Sequence, residues 1–242
     1  MSAGDSSSTA GQQAGEKLHW VPLESSPEAM NKMVHRLGVD QLAGFSDVWG
    51  LDDELLAMVA QPVHALVFLF PLRNATREAR VAEAAAAANT VSPNVWFMRQ
   101  TIGNACGTMA VLHALGNCQD RIPIGGELAA FYAQAKDLSP RDRAALLEAS
   151  SAIAESHSAS AAEGQTAAPP PDADVLHHYA AFVAVDGCLY ELDGMLASPI
   201  NHGPSADLLH DAARAIKKRI EALGDDAEMV SVIALGPAPD AD

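Results

Sequence analysis

Residues 95–117, VWFMRQTIGNACGTMAVLHALGN, constrain this chain more than any other stretch. Val95, Trp96, Phe97 and Met98 favour extended backbone, so a strand is expected there. Past the TIGN of 101–104 the pattern changes. Met109, Leu112, His113 and Leu115 recur at helical spacing, and Gly116 with Asn117 supplies a stop. Cys106 falls at the passage between the two. A thiol in the first turn of a helix faces unpaired backbone N–H groups and the positive end of the helix dipole, and both favour the thiolate. A cysteine in an apolar helix is more commonly a small buried hydrophobe. What sets Cys106 apart is Gln100, close upstream, whose side-chain amide and the Cys106 backbone N–H are two donors able to converge on one oxyanion.

A length of 242 residues supports one substantial core, and one domain is expected. Hydrophobic residues make up 49% and charged residues 19%, and no apolar run approaches the roughly eighteen residues that cross a bilayer. A soluble globular protein is expected, without membrane attachment. The N-terminus lacks a basic region followed by an apolar stretch, so a cytoplasmic or nuclear location is the expectation. Cys106, Cys118 and Cys188 are an odd set without a CxxC pair, which points to free thiols and to neither a disulfide framework nor a zinc site. With 31 acidic against 15 basic residues the net charge is −16. That balance disfavours nucleic acid and anionic membrane as partners and suits a basic one, or serves solubility alone.

Taken in order, residues 1–16 are small and polar and read as a disordered lead. A strand-like lead-in at 19–23 precedes a helix capped by Ser26 with Pro27 and Glu28 in its first turn, whose apolar face is Met30, Met33, Val34 and Leu37. A short helix follows from Asp52. The run HALVFLF within 62–71 is too short for an isolated helix and is bounded by prolines, which suits a central strand buried on both faces. The alanine-rich 74–88 is helical but offers little bulk, so it belongs on the outside. Helices are expected at 126–136 and after Ser139, the latter with a capping box. Residues 157–174, with small residues, Gly164 and three consecutive prolines, read as a long exposed loop within one domain. A hairpin at 176–192 turns at Asp186-Gly187. Ser205 caps a last amphipathic helix through Leu223, and a strand at 229–235 precedes a tail. The expected domain is 17–236, followed by a tail at 237–242.

A thiolate nucleophile needs a base to take its proton and later protonate a leaving amine, and the base needs a partner to fix its tautomer. His178 starts the first hairpin strand and Asp193 ends the second. Positions paired across the turn sum to about 373, and 178 with 193 gives 371, near opposition. That register favours His178 over the adjacent His177. Cys106, His178 and Asp193 are therefore the candidate triad, with Gln100 beside them. The nine histidines include no HExxH, and no metal is expected.

QTIGNACGT at 100–108, HSASAAEGQT before the prolines, VDGCLYELDG at 185–194 and PINHG at 199–203 together resemble the ubiquitin C-terminal hydrolases, among them the short, L3-like members. The resemblance runs from about Trp20 to Leu235. It implies an α/β fold: a papain-like α/β/α sandwich with a mainly antiparallel six-stranded central sheet and a knotted backbone, one of the rare exceptions to the rule against threading. It implies Cys106 as nucleophile, His178 as general base, Asp193 as its orienting partner and Gln100 as oxyanion donor, with no cofactor. It makes 157–174 a crossover loop over the active site that admits a flexible tail and excludes a folded adduct. The implied substrate is ubiquitin, hydrolysed after its last glycine through a thioester to release small amines, thiols or short peptides.

Trp20, Pro22, Leu23 and Glu24 form an expected ubiquitin contact, or else an edge strand with its hydrophobic anchor. NEDD8 is an alternative modifier, and a ubiquitin-binding module with little turnover an alternative role. The intact set Cys106, His178, Asp193 and Gln100 favours an enzyme, because binding alone would not require it. The acidic balance and lack of an exposed apolar repeat suggest a monomer. Two positions depart from the family pattern: Cys188 stands where histidine is common after the VDG turn, and Ala110 where glycine is common. Cys188 is expected near the site without taking part.

Overall fold

The computed structural model describes residues 18–87, 90–164, 169–170, 173 and 175–239. Their elements in order are α1 (Pro27–Arg36), β1 (Ala43–Asp47), α2 (Asp53–Leu56), β2 (Ala65–Pro71), α3 (Asn74–Ala87), α4 (Cys106–Gly116), α5 (Gly126–Ala135), α6 (Pro140–Glu148), α7 (Ser151–Ala162), β3 (His177–Val185), β4 (Cys188–Leu192), β5 (Ile200–Pro204), α8 (Leu208–Glu221) and β6 (Ser231–Pro237). The strands form one antiparallel sheet in the order β1-β6-β2-β3-β4-β5.

β2 is the inner strand that the apolar run predicts. Leu66, Phe68 and Phe70 point to one face, where Leu209, Ala212 and Ile216 of α8 and Leu56 of α2 cover them. Val67, with Ala181 and Val183 of β3, points to the other, beneath α1, α4, α5, α6 and α7. Period-2 alternation with apolar residues on both faces requires helices on both sides, and the α/β/α layering follows. α4 crosses β2 and β3 and is buried at every position from Gly107 to Gly116.

Local chemistry sets the element boundaries. The Ser26 hydroxyl accepts from Ala29 N at 3.3 Å, and the chain leaves α1 through Gly38 at φ +107°. The β3–β4 turn has Asp186 at φ 50° and Gly187 at φ 73°, the left-handed pair that a two-residue hairpin needs.

Several expectations are corrected. Residues 95–98 form no strand; Trp96 N instead donates to Asn117 Oδ1 at 2.8 Å, so the segment is tied to the end of α4. The loop expected from His157 begins later, because α7 runs to Ala162. Its buried residues Ile153, Ser156, His157, Ser160 and Ala161 have helical spacing but little apolar bulk; small side chains let α7 approach α1, and Ser156 Oγ donates to Met33 O at 3.1 Å. Asp207, and not Ser205, caps α8, accepting from His210 N at 3.1 Å. β6 extends through Pro237, opposite Ala43, so the tail starts one residue later than expected. The lead at 1–16 lies outside the described residues, as does the loop at 165–168, 171–172 and 174.

Candidate active site

The N-terminus of α4, the start of β3 and the chain leaving β4 meet at one end of the sheet. Asn104, in left-handed backbone at φ 58°, turns the chain so that Cys106 becomes the first residue of α4, and no side chain caps that terminus. Cys106 is half-buried at the junction of two cavities. One, of about 230 Å³, is lined by Pro22, Leu23, Glu24, Gly164 and Tyr179 among others. The second, of about 570 Å³, is lined by Gln100, His178, Asn74, Arg77 and Met195.

His178 pairs with Phe70 of β2, and its ring meets the Phe70 ring edge-on at 5.8 Å. Its Nε2 lies 2.7 Å from Asp193 Oδ1. The two residues are diagonal rather than opposed: the β3–β4 ladder ends at Ala181 and Leu192, and Asp193 leaves it to accept from Met195 N at 2.9 Å. They share one face of the sheet, which is why the contact forms without strict opposition. With Nε2 engaged, Nδ1 is the ring nitrogen left for Cys106. Burial lowers the pKa of His178, but the Asp193 carboxylate, helped by a hydrogen bond with Cys106, outweighs it and lifts the imidazole to about 9. Asp193 is held well below the carboxylate range: burial opposes ionisation, and His178 and Arg80 overcome it.

Gln100 N donates to Gly194 O at 2.8 Å, fixing the backbone of the amide-bearing residue to the one after Asp193. Gln100 Nε2 donates one hydrogen to Ile102 O at 3.0 Å and keeps a second. The same cavity wall thus carries Gln100, Cys106 and His178. Pro22, Leu23 and Glu24 border the smaller cavity, whereas Trp20 is 8% exposed and packs at a tilt against the His157 ring, centroids 4.4 Å apart, an anchor of the N-terminal segment. Only His19 of that segment bridges to another, at Gly103, so it is no strand.

Cys188 does not lie near the site. It pairs with Val185 beside the turn, at the end of β3 away from His178. Proximity in the hairpin sequence misled because the turn, not the strand ends, brings residues 185 and 188 together.

Sequence reasoning missed a buried charge cluster behind Asp193. Arg80 of α3 donates to Asp193 Oδ2 at 2.6 Å and, through Nη1, to Glu191. Glu191, fully buried, also meets His202 Nε2 at 2.9 Å and Arg219 Nη2 at 2.7 Å. A signal was available: a glutamate inside the apolar strand CLYEL must have a cationic partner if its side chain faces the core.

Comparison with known proteins agrees with this geometry. The family model described as ubiquitin carboxyl-terminal hydrolase, family 1, matches residues 20–221. Ubiquitin carboxyl-terminal hydrolase 3 of Arabidopsis thaliana is 43% identical over 219 residues, covering 88% of this chain and 92% of the relative. Ubiquitin carboxyl-terminal hydrolase isozyme L1 of Homo sapiens is 42% identical over 207 residues, covering 83% and 91%. The crystal structure of the Trichinella spiralis UCH37 catalytic domain bound to ubiquitin vinyl methyl ester superposes with a TM-score of 0.76 at 26% identity, covering 93% of this chain and all of that one. The family-model match at 20–221 takes in strands β1 to β5 and the residues that converge on Cys106, and the chain belongs to the ubiquitin carboxyl-terminal hydrolase family.

Proposed function

We propose that this chain is a thiol hydrolase that cleaves small adducts or short peptides from the C-terminal glycine of ubiquitin, with Cys106 as nucleophile, His178 as general base and acid, Asp193 as its orienting partner and Gln100 as oxyanion donor. The observation that carries it is the 2.7 Å contact of His178 with Asp193 beside a cysteine at an uncapped helix N-terminus.

His178 takes the Cys106 proton, and Sγ bonds to the carbonyl carbon of the terminal glycine. The carbonyl electrons move onto oxygen, and the second Gln100 Nε2 hydrogen and the Cys106 backbone N–H donate hydrogen bonds to the resulting oxyanion. Collapse breaks the C–N bond, and His178 protonates the departing amine. In the second half His178 deprotonates water, hydroxide attacks the thioester, and the C–S bond breaks to restore Cys106. An imidazole protonated up to about pH 9 is charged at neutral pH, the state that pairs with a thiolate and serves as the acid.

Pro22, Leu23, Glu24, Gly164, Pro169 and Val175 surround Cys106 on the side of the smaller cavity. In this reading they hold the ubiquitin tail. The triad is complete within one chain, which supports a monomer as the working unit. The test is hydrolysis of a fluorogenic ubiquitin C-terminal amide by the native chain and by Cys106→Ala, with the NEDD8 amide alongside. Turnover abolished in the variant supports the nucleophile, and a preference for the NEDD8 amide would replace ubiquitin as the modifier. A folded native chain that binds ubiquitin without turnover would overturn the enzyme reading.

A further inference from the structure

The buried cluster behind Asp193 has a geometry that packing alone does not require. Arg80 is 2% exposed on a helix whose only other buried residue is Ala84. Its two terminal nitrogens go to two different carboxylates, Nη1 to Glu191 and Nη2 to Asp193 Oδ2 at 2.6 Å. Glu191 and Asp193 sit two residues apart on β4 and its continuation, so their side chains share one face, and the planar fork of a guanidinium bridges them as a single ammonium would not. Glu191 is in turn fixed by His202 of β5 and by Arg219 of α8, which also reaches Glu83 of α3 at 2.6 Å.

The division of labour on the Asp193 carboxylate is specific. Oδ1 receives His178 Nε2 and Met195 N, while Arg80 is the partner of Oδ2. Without Arg80, Oδ2 loses its ion-pair partner and the two bonds at Oδ1 alone resist rotation of the carboxylate. The guanidinium carbon also lies 4.7 Å from the Phe70 ring centroid, and that ring meets His178 edge-on. Arg80 therefore supports the imidazole twice, once through Asp193 and once through Phe70.

We propose that Arg80, anchored by Glu191, is a positioning residue for the hydrolytic reaction: it locks the Asp193 carboxylate and thereby holds His178 in register with Cys106. This rests on the thiol-hydrolase reading above. Among the described residues the charged or titratable groups beside His178 are Asp193 from the end of β4, Cys106 from α4 and Arg77 of α3 in the same cavity, while β2 presents the uncharged Phe70. Arg80, on the far oxygen of the carboxylate, acts through Asp193. Losing the fork while keeping the charge therefore weakens the Asp193 contact, and the imidazole proton leaves at lower pH.

The experiment compares the native chain with Arg80→Met and Arg80→Lys. It measures folding by circular dichroism, kcat and KM on the fluorogenic ubiquitin amide, and the His178 titration midpoint by NMR of histidine-labelled protein. In both folded variants kcat is expected to fall, on the order of 100-fold for Arg80→Met and less for Arg80→Lys, with KM within about threefold of native. The His178 midpoint moves downward in Arg80→Lys, which keeps the cation but loses the fork, whereas Arg80→Met also removes a cation from beside Asp193 and is read by kcat alone. Folded Arg80→Lys with an unmoved or raised midpoint would overturn the proposal, as would an unchanged kcat in folded Arg80→Met. If Arg80→Met fails to fold, Arg80→Lys decides: native kcat in that variant rejects the fork, and a selective loss of kcat supports it. The midpoint is read without ubiquitin, so a native chain that hydrolyses nothing would reject the hydrolase reading while leaving the Arg80–Asp193 coupling independently measured.

Discussion

The Gly194 carbonyl accepts the Gln100 N–H at 2.8 Å, and a Cβ on Gly194 would lie 2.9 Å from Gln100 Cβ and 3.0 Å from Met109 Cε. Asp193, the partner of His178, and Gly194, the partner of Gln100, are therefore consecutive in the chain. Any displacement of one is transmitted to the other. Gln100→Ala is expected to lower kcat on the order of 100-fold with KM little changed, the usual cost of one oxyanion donor. Gly194→Ala pushes Gln100 and Met109 apart and is expected to reproduce part of that loss. Steady-state kinetics on both variants checks this, and native kcat in folded Gly194→Ala would refute the coupling.

The acid–base state of His178 predicts a stability slope. Its folded pKa, about 9, is above the ordinary value of 6.5 because Asp193 outweighs burial. The protonated ring therefore stabilises the fold fully below pH 6.5, and that contribution disappears as pH rises through about 9. The loss is at most about 3 kcal/mol. Urea denaturation of the native chain and of His178→Gln between pH 6 and 10 checks it. The native midpoint should fall with pH while the variant stays flatter, and parallel curves would refute the shift.

How much was legible in advance follows from what each segment had to do. β2, β3 and β4 are rich in Val, Phe, Tyr and Leu, and the sheet centre could be read from them. β1 (AGFSD) and β5 (INHGP) are the edge strands, where glycine, proline and polar residues are tolerated, so they carried no pattern. That Cys106, Gln100, His178 and Asp193 lie at one end of the sheet was legible because a helix start and a hairpin place them locally. Arg80 was hidden because its partners lie 111 and 113 residues away, and an arginine in an alanine-rich helix reads as solvent-facing.

Cys188 yields a test of the fold rather than of the chemistry. From His178 to Val185, the partner of Cys188, β3 advances seven residues, roughly 23 Å. A disulfide needs Cα atoms within about 7 Å. Mild peroxide is therefore expected to oxidise Cys106, half-buried at the cavity junction, without joining it to Cys188. Intact mass followed by peptide mapping reads this, and a linked Cys106–Cys188 peptide pair would contradict the strand register.

His157 couples the N-terminal segment to the helix that carries Cys106. It is 1% exposed, with Nδ1 2.7 Å from Thr108 Oγ1 and Nε2 2.8 Å from Val21 O, and Trp20 lies against its ring. Thr108 is two residues beyond Cys106, and Val21 precedes Pro22 at the smaller cavity, so one imidazole ties two walls of the site together. His157→Leu keeps the apolar contact with Trp20 but leaves the Val21 carbonyl and the Thr108 hydroxyl without their partner, a cost of about 2–4 kcal/mol. Burial also pushes the His157 pKa below 6.5, against the weaker opposing effect of the Val21 carbonyl. Its neutral ring thus contributes stability that is present above pH 6.5 and is lost as pH falls through the lowered folded value, the reverse of His178. Urea denaturation of native and His157→Leu at pH 7.5 and pH 5 should show the gap between them narrowing in acid, because only the native chain has that ring to protonate. A constant gap would mean that folding leaves the His157 pKa unshifted, and a widening gap that folding raises it, with the bond to Val21 as the dominant contact.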